Sequence, residues 1–225
     1  MHKIFLLTIF IFSSLILNGT ESKVIRDLEL WTGAKYKKKI ITSNLSFNTE
    51  IELRLRKDIT EFKSLIIEPG LNYEVTRFFE TDAGLRYVLH QTRNGTREQG
   101  LRYYFSISLK HSIIRFKFNY RFKFQSTDDD FIDTKSFQNS VNVLRNKFLI
   151  NYNIEKCRFT PYLSSELFSH FINDEPISHY NLRITLGSKI DLDKIKNINL
   201  FYRLDHELNN SDPFNIFVLG VRFNI

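Results

Sequence analysis

From residue 25 onward the chain alternates apolar and polar positions with a period of two, and no stretch of ten or more residues repeats at the helical period of 3.6. Residues 113–126, IIRFKFNYRFKFQS, are the plainest case. Ile114, Phe116, Phe118, Tyr120, Phe122 and Phe124 fall on one side, and Arg115, Lys117, Asn119, Arg121, Lys123 and Gln125 fall on the other. In a water-soluble fold the aromatics point in and the charges out. In a membrane barrel the arrangement is inverted.

The alternation predicts eleven strands, at 26–37, 40–57, 62–76, 78–92, 100–111, 113–126, 139–153, 157–171, 178–191, 197–209 and 214–225. Strands of globular proteins usually run about 5–6 residues. A tilted transmembrane strand needs about 9–11, and several of these hold their alternation for longer than that. The apolar faces carry no charge. Leu45, Phe47, Thr49, Ile51, Leu53 and Leu55 form one such face, and Tyr180, Leu182, Ile184, Leu186, Ser188 and Ile190 another. Charge-free faces are expected of lipid-facing strands, where an Arg or Lys at the bilayer midplane costs about 2–4 kcal/mol.

Connections alternate in length, with tight turns at Thr76-Arg77 and His111-Ser112 and long loops at 127–138 and 171–177. Short periplasmic turns and longer external loops are the layout of an outer-membrane barrel. The expected fold is therefore all-β: a single antiparallel up-and-down transmembrane β-barrel of 10–12 strands. Bacterial barrels use even numbers, so either one strand near the N-terminus is missing from the eleven or the first segment stands outside the wall, and twelve is favoured over ten. The final strand puts Phe217, Leu219, Val221, Phe223 and Ile225 on one face, as a barrel-insertion signal would.

The N-terminus sets the compartment. Met1-His2-Lys3 is basic, residues 4–17 are apolar, and Asn18 to Ser22 turns polar. This is a signal-peptide layout. Residues 1–20 are read as the signal, with cleavage between 18 and 23, and residues 21–225 as the barrel. The expected location is the outer membrane of a Gram-negative bacterium, with lipid, lipopolysaccharide and the barrel-insertion machinery as partners. The net charge of +7 would otherwise suggest nucleic acid, which export excludes. The single cysteine, Cys157, rules out an intrachain disulfide.

Four stretches carry a family resemblance: Leu30-Trp31-Thr32-Gly33, Thr160-Pro161-Tyr162-Leu163-Ser164-Ser165-Glu166-Leu167-Phe168, Leu200-Phe201-Tyr202-Arg203 and Ile216-Phe217-Val218-Leu219-Gly220-Val221. Together they resemble domain-of-unknown-function family 2490, outer-membrane β-barrels of Gram-negative bacteria. The resemblance implies fold and location, and no substrate or catalytic residue.

With the polar faces inward, fifteen basic side chains meet ten acidic ones in the expected lumen. Arg102, Lys110, Arg115, Lys117, Arg121 and Lys123 form a basic stripe on two neighbouring strands without local counter-charge, and Glu50, Glu52, Glu80 and Glu166 face it from other strands. Barrels of 8 strands are filled by side chains and those of 16–18 are open. The intermediate size leaves two readings, a narrow anion-preferring pore or a closed, ion-paired barrel. A soluble extracellular or periplasmic binding barrel and a barrel-embedded lipid hydrolase are the alternatives. No catalytic, cofactor or metal residues are assigned. No His is followed two positions later by Ser, and Ser164, Glu166 and His170 share an inward face that a polar lumen explains. Asp128-Asp129-Asp130 with Asp133 lacks the glycine of an EF-hand loop, and Lys37-Lys38-Lys39 reads as a solvated turn.

Overall fold

The computed structural model describes residues 25–40, 44–92, 94–128, 141–171, 178–192, 196–208 and 213–225. The segment expected to be a signal and most of the acidic loop, Asp129, Asp130 and Asp133 included, lie outside the described residues. So does 172–177.

Among the described residues there are eleven strands. They are β1 (Ile25–Lys39), β2 (Leu45–Arg56), β3 (Glu61–Thr76), β4 (Phe79–Gln91), β5 (Arg97–Ile113), β6 (Phe116–Asp128), β7 (Val141–Tyr152), β8 (Phe159–Phe171), β9 (Ser178–Asp191), β10 (Asn197–Glu207) and β11 (Phe214–Asn224). Runs of Phe, Tyr, Ile, Val and Thr at alternate positions favour the pleated conformation. Each strand pairs with its sequence neighbours and the sheet closes on itself.

The count is eleven, inside the expected range and one short of the favoured twelve. The first segment is a wall strand after all. In an up-and-down barrel an odd count makes the first and last strands run the same way. The seam between β1 and β11 is accordingly parallel, from Ile25 beside Phe214 to Lys35 beside Asn224. All other ladders are antiparallel. The seam holds to the last residue: the Lys37 amide donates to the Ile225 carbonyl at 3.1 Å, and the Ile225 amide donates to the Lys35 carbonyl at 2.9 Å.

One end of the barrel carries the connections 57–60, 92–96, 129–140, 172–177 and 208–213. The other carries 40–44, 77–78, 114–115, 153–158 and 192–196. Both two-residue turns fall on the second end. At one of them the Thr76 Oγ1 accepts from the Phe78 and Phe79 amides at 3.2 and 3.1 Å. The parallel seam therefore puts Ile25 at the long-loop end and Ile225 at the short-turn end.

The other two-residue turn corrects the expected boundary. It lies at Ile114-Arg115, not His111-Ser112, because Ile113 pairs with Phe116. Ile114 is 97% exposed at the tip with φ of 52°. The apolar phase shifts from odd to even positions between two adjacent isoleucines, so hydropathy alone could not say on which side the chain turns. Ile114 thus leaves the outward face, and Arg115 leaves the lumen.

The molecule is inverted relative to a water-soluble fold. Among the described residues twenty buried side chains are polar or charged and eight are hydrophobic. Large apolar groups such as Phe47, Ile51, Leu71, Leu85, Phe105, Leu109, Phe148, Leu163, Leu186, Leu200 and Leu219 stand exposed on the outside. The inward apolar groups are few. Trp31, Tyr162, Phe201 and Val218 form a knot against one wall, with Leu149 and Ile216 packed on it. Its rings fit over inward glycines in register: Tyr162 opposite Gly187, Gly187 opposite Phe201, Phe201 opposite Gly220, and Gly220 opposite Trp31.

Candidate functional site

Strand register builds the lumen as rows of side chains that cross the ladders. In one row Arg121 of β6 faces Lys147 of β7, Lys147 faces Glu166 of β8, Glu166 faces Arg183 of β9, and Arg183 faces Asp205 of β10. Neighbours on one face of a sheet stand about 4.5–5.5 Å apart at Cβ, within reach of long charged side chains. Glu166 is the hub. Its carboxylate lies 2.9 Å from Arg121, 2.9 Å from Arg145 and 3.8 Å from Arg183. Arg183 in turn forks onto Asp205, with both bonds at 2.7 Å. A bidentate guanidinium–carboxylate pair of this kind fixes orientation as well as charge.

Three further clusters reach across strands. Glu52 lies 2.6 Å from Arg54 on its own strand and 2.5 Å from Arg222 of β11, which also meets Glu50 at 2.8 Å. Glu68 of β3 binds Arg86 of β4 and, across β4 and β5, accepts from Lys123 of β6 at 3.2 Å. Lys123 is buried and also sits 3.4 Å over the Tyr104 ring. Buried Glu29 takes the Trp31 indole N–H at 2.7 Å and Lys63 at 2.6 Å, while Arg54 and Arg203 stack over the other parts of Trp31 at 3.6 and 4.6 Å. Trp31 is thus a cationic stacking platform inside the barrel.

Three cavities lie between these groups. A vestibule of about 550 Å³ opens near the long-loop end, where Lys63, His90 and Glu98 line it. A side lobe of about 180 Å³ is lined by Phe168, Tyr180, Arg145 and Arg183. A chamber of about 150 Å³ lies at mid-depth among the charged clusters. Arg54 and Arg86 border all three.

The expected basic stripe does not exist as one wall. Arg121 and Lys123 line the chamber, while Arg102 borders the vestibule and side lobe. Arg115 sits in the turn and pairs with Glu155 at 2.6 Å, and Lys117 is exposed near the same end. Local counter-charge is present too: Lys110 meets Glu80 at 2.5 Å, and Arg121 and Lys123 meet Glu166 and Glu68. The stripe fails because these positions spread along β5 and β6, 17 and 13 residues long, and each depth has its own acids. Of the four acids expected to face the stripe, Glu80 and Glu166 do so, whereas Glu50 and Glu52 serve Arg222 and Arg54. Sequence reading passed over Arg145 and Lys147. On β7 apolar residues occupy both faces, so Val143 and Leu149 hide the alternation, and only the charges carried the signal.

Tyr180, expected on the outer face, lines the side lobe instead. The register shifts between Phe168 and Ser169, so that Phe168 faces Asn181 while Ser169 faces His179, and Tyr180 is the extra residue of a bulge. Its ring stacks on His170 at 3.6 Å between centroids. Ser164 and His170 are six residues apart on one strand, about 20 Å, and form no working pair. A different contact forms at the bulge, where Ser169 Oγ lies 2.8 Å from His179 Nδ1. It joins two strands, so no local spacing could have announced it. Among the described residues no group of three His, Cys, Asp or Glu is placed to hold a metal ion.

A family model described as protein of unknown function (DUF2490) matches residues 28–215, from β1 into β11. The chain belongs to the DUF2490 family. No curated protein matches it. The matched span takes in the vestibule, the Glu166 hub and the three rings of the knot of this DUF2490 barrel, so its role must be read from the lumen itself.

Proposed function

We propose that this barrel is an integral protein of the outer membrane of a Gram-negative bacterium, delivered by residues 1–20, with its lumen closed at mid-depth by ion pairs rather than open as a diffusion pore. The observation that carries the reading is the inversion of polarity, with charges buried inside and a charge-free apolar belt exposed outside. Water would leave that belt unsatisfied, whereas lipid covers it. Even the shortest strands have 11 residues, enough for a tilted span. The belt would meet lipid, the long loops would meet lipopolysaccharide, and β11 would be read by the insertion machinery. The exposed belt weighs against the soluble binding barrel.

Closure is supported by the connectivity of the charges. Glu166, Glu52 and Glu68 each tie together basic groups from at least two other positions, and the chamber between them measures only about 150 Å³. The role is that of a non-catalytic barrel.

Fractionation and planar-bilayer recording test the two halves separately. The protein should co-purify with outer membranes and migrate differently on gels before and after heating. Recovery as a soluble periplasmic protein overturns the membrane reading. Refolded protein should show no steady unitary conductance, and a regular open channel overturns closure.

A further inference from the structure

The mid-depth chamber is lined by ten basic and five acidic side chains. Those acids are already engaged. Glu50, Glu52, Glu68 and Glu166 hold arginines and Lys123, and Asp82 accepts from the Asn48 amide at 3.0 Å. Asp205, just outside the lining, is taken by Arg183. Ten basic groups against six acids leave an excess of four positive charges around one buried space.

The excess has an address. Among the described residues neither Lys147 nor Arg203 has a carboxylate oxygen within 4.0 Å, although both line the chamber. Arg203 is 91% buried, its exposure being 9%. Its Nε donates to Thr185 Oγ1 at 3.0 Å, and its guanidinium lies 4.6 Å from both the Trp31 and Phe201 rings. Ring faces and a hydroxyl orient the group without neutralising it. A charge removed from water without a counter-charge is strongly disfavoured, so a buried excess of this kind calls for an anion.

We propose that the chamber is a binding site for a phosphate group, held by Lys147 and Arg203 and approached from the vestibule past Arg54 and Arg86. A chamber of about 150 Å³ admits a tetrahedral oxyanion. Guanidinium forks match its oxygens in pairs, and an ammonium supplies a point charge. The vestibule of about 550 Å³ could seat the organic part of a phosphomonoester. The chamber site does not depend on whether the lumen conducts.

The test uses the full mature barrel refolded in micelles, with thermal midpoint and calorimetry read against inorganic phosphate, glycerol phosphate and chloride at matched ionic strength. Phosphate should raise the midpoint saturably, and chloride should not. Half-saturation should rise roughly tenfold or more in Lys147→Met and Arg203→Gln, as expected for loss of a charge-assisted contact. Neither change orphans an acid, so the phosphate-free midpoint should stay equal or increase. Lys147→Arg should keep binding if Lys147→Met fails to fold, and Lys117→Met, outside the chamber, should behave as the unmodified protein. Glycerol phosphate binding tighter than inorganic phosphate identifies an esterified ligand, and the reverse a free one. Equal effects of phosphate and chloride, no saturable effect, or unchanged half-saturation in the chamber variants would each overturn the site.

Discussion

The Phe201 ring lies flat over Gly220 on the adjacent strand, so close that a Cβ built at residue 220 would stand 2.0 Å from its Cζ. The glycine is a gap that the ring fills. Gly220→Val should therefore force the ring out of the Trp31–Val218 knot, at about 1–3 kcal/mol for overpacking and more if the backbone must yield. The fraction of protein in the heat-sensitive, compact gel form should fall. Combining it with Phe201→Ala should restore part of that fraction, since the clash is then gone. No difference between Gly220→Val and the unmodified barrel would show that the knot does not pack as described.

Buried and exposed ion pairs should differ in weight. Glu166→Gln leaves Arg121, Arg145 and Arg183 without their shared carboxylate, and breaking a buried pair typically costs about 3–5 kcal/mol. Glu155→Gln breaks only the exposed pair with Arg115, where about 0–1 kcal/mol is typical. Urea unfolding of the refolded barrel should show a large loss for the first and little for the second. A comparable loss in both variants would contradict the hub.

If the outer belt faces lipid as proposed, the cost of a charge on it should depend on depth. β6 begins at Phe116 and ends at Asp128, so Phe122 stands at its centre and Phe118 near the short-turn end. Phe122→Arg should impair assembly most, by about 2–4 kcal/mol, and Phe118→Arg less, because the cost falls toward the interface. Asn119→Arg, on the inward face, should be tolerated. Assembly yield in liposomes orders the three, and the reverse order would mean the faces are exchanged.

The native thiol reports sidedness without mutation. Cys157 is exposed in the connection between β7 and β8, at the short-turn end. If that end is periplasmic, a membrane-impermeant maleimide should leave intact cells unlabelled at Cys157 and label it after permeabilisation. A cysteine placed at Arg26, at the opposite end of the seam, should label in intact cells. Labelling of Cys157 from outside would invert the barrel.

The alternation of residues 116–124 already determined that β6 has one aromatic and one cationic side, and the same parity made the whole chain legible as strands of an inverted barrel. Period-2 hydropathy is a local property, and local sequence carries it in full. It could not say how the barrel closes, because a parallel or antiparallel seam depends on whether the strand count is odd or even. Nor could it place the turn between Ile113 and Phe116, where two apolar residues adjoin, or foresee the bulge that turns Tyr180 inward. The lumen shows the limit most clearly. Parity marked Arg121, Lys123, Glu68 and Glu166 as inward, but a strand reveals only which face a charge occupies. Which acid meets which base is settled by register and by reach across the closed space, as when Lys123 passes β5 and β4 to find Glu68. Such pairings join residues up to 170 positions apart, as with Arg222 and Glu52, and only the closed barrel brings them within bonding distance.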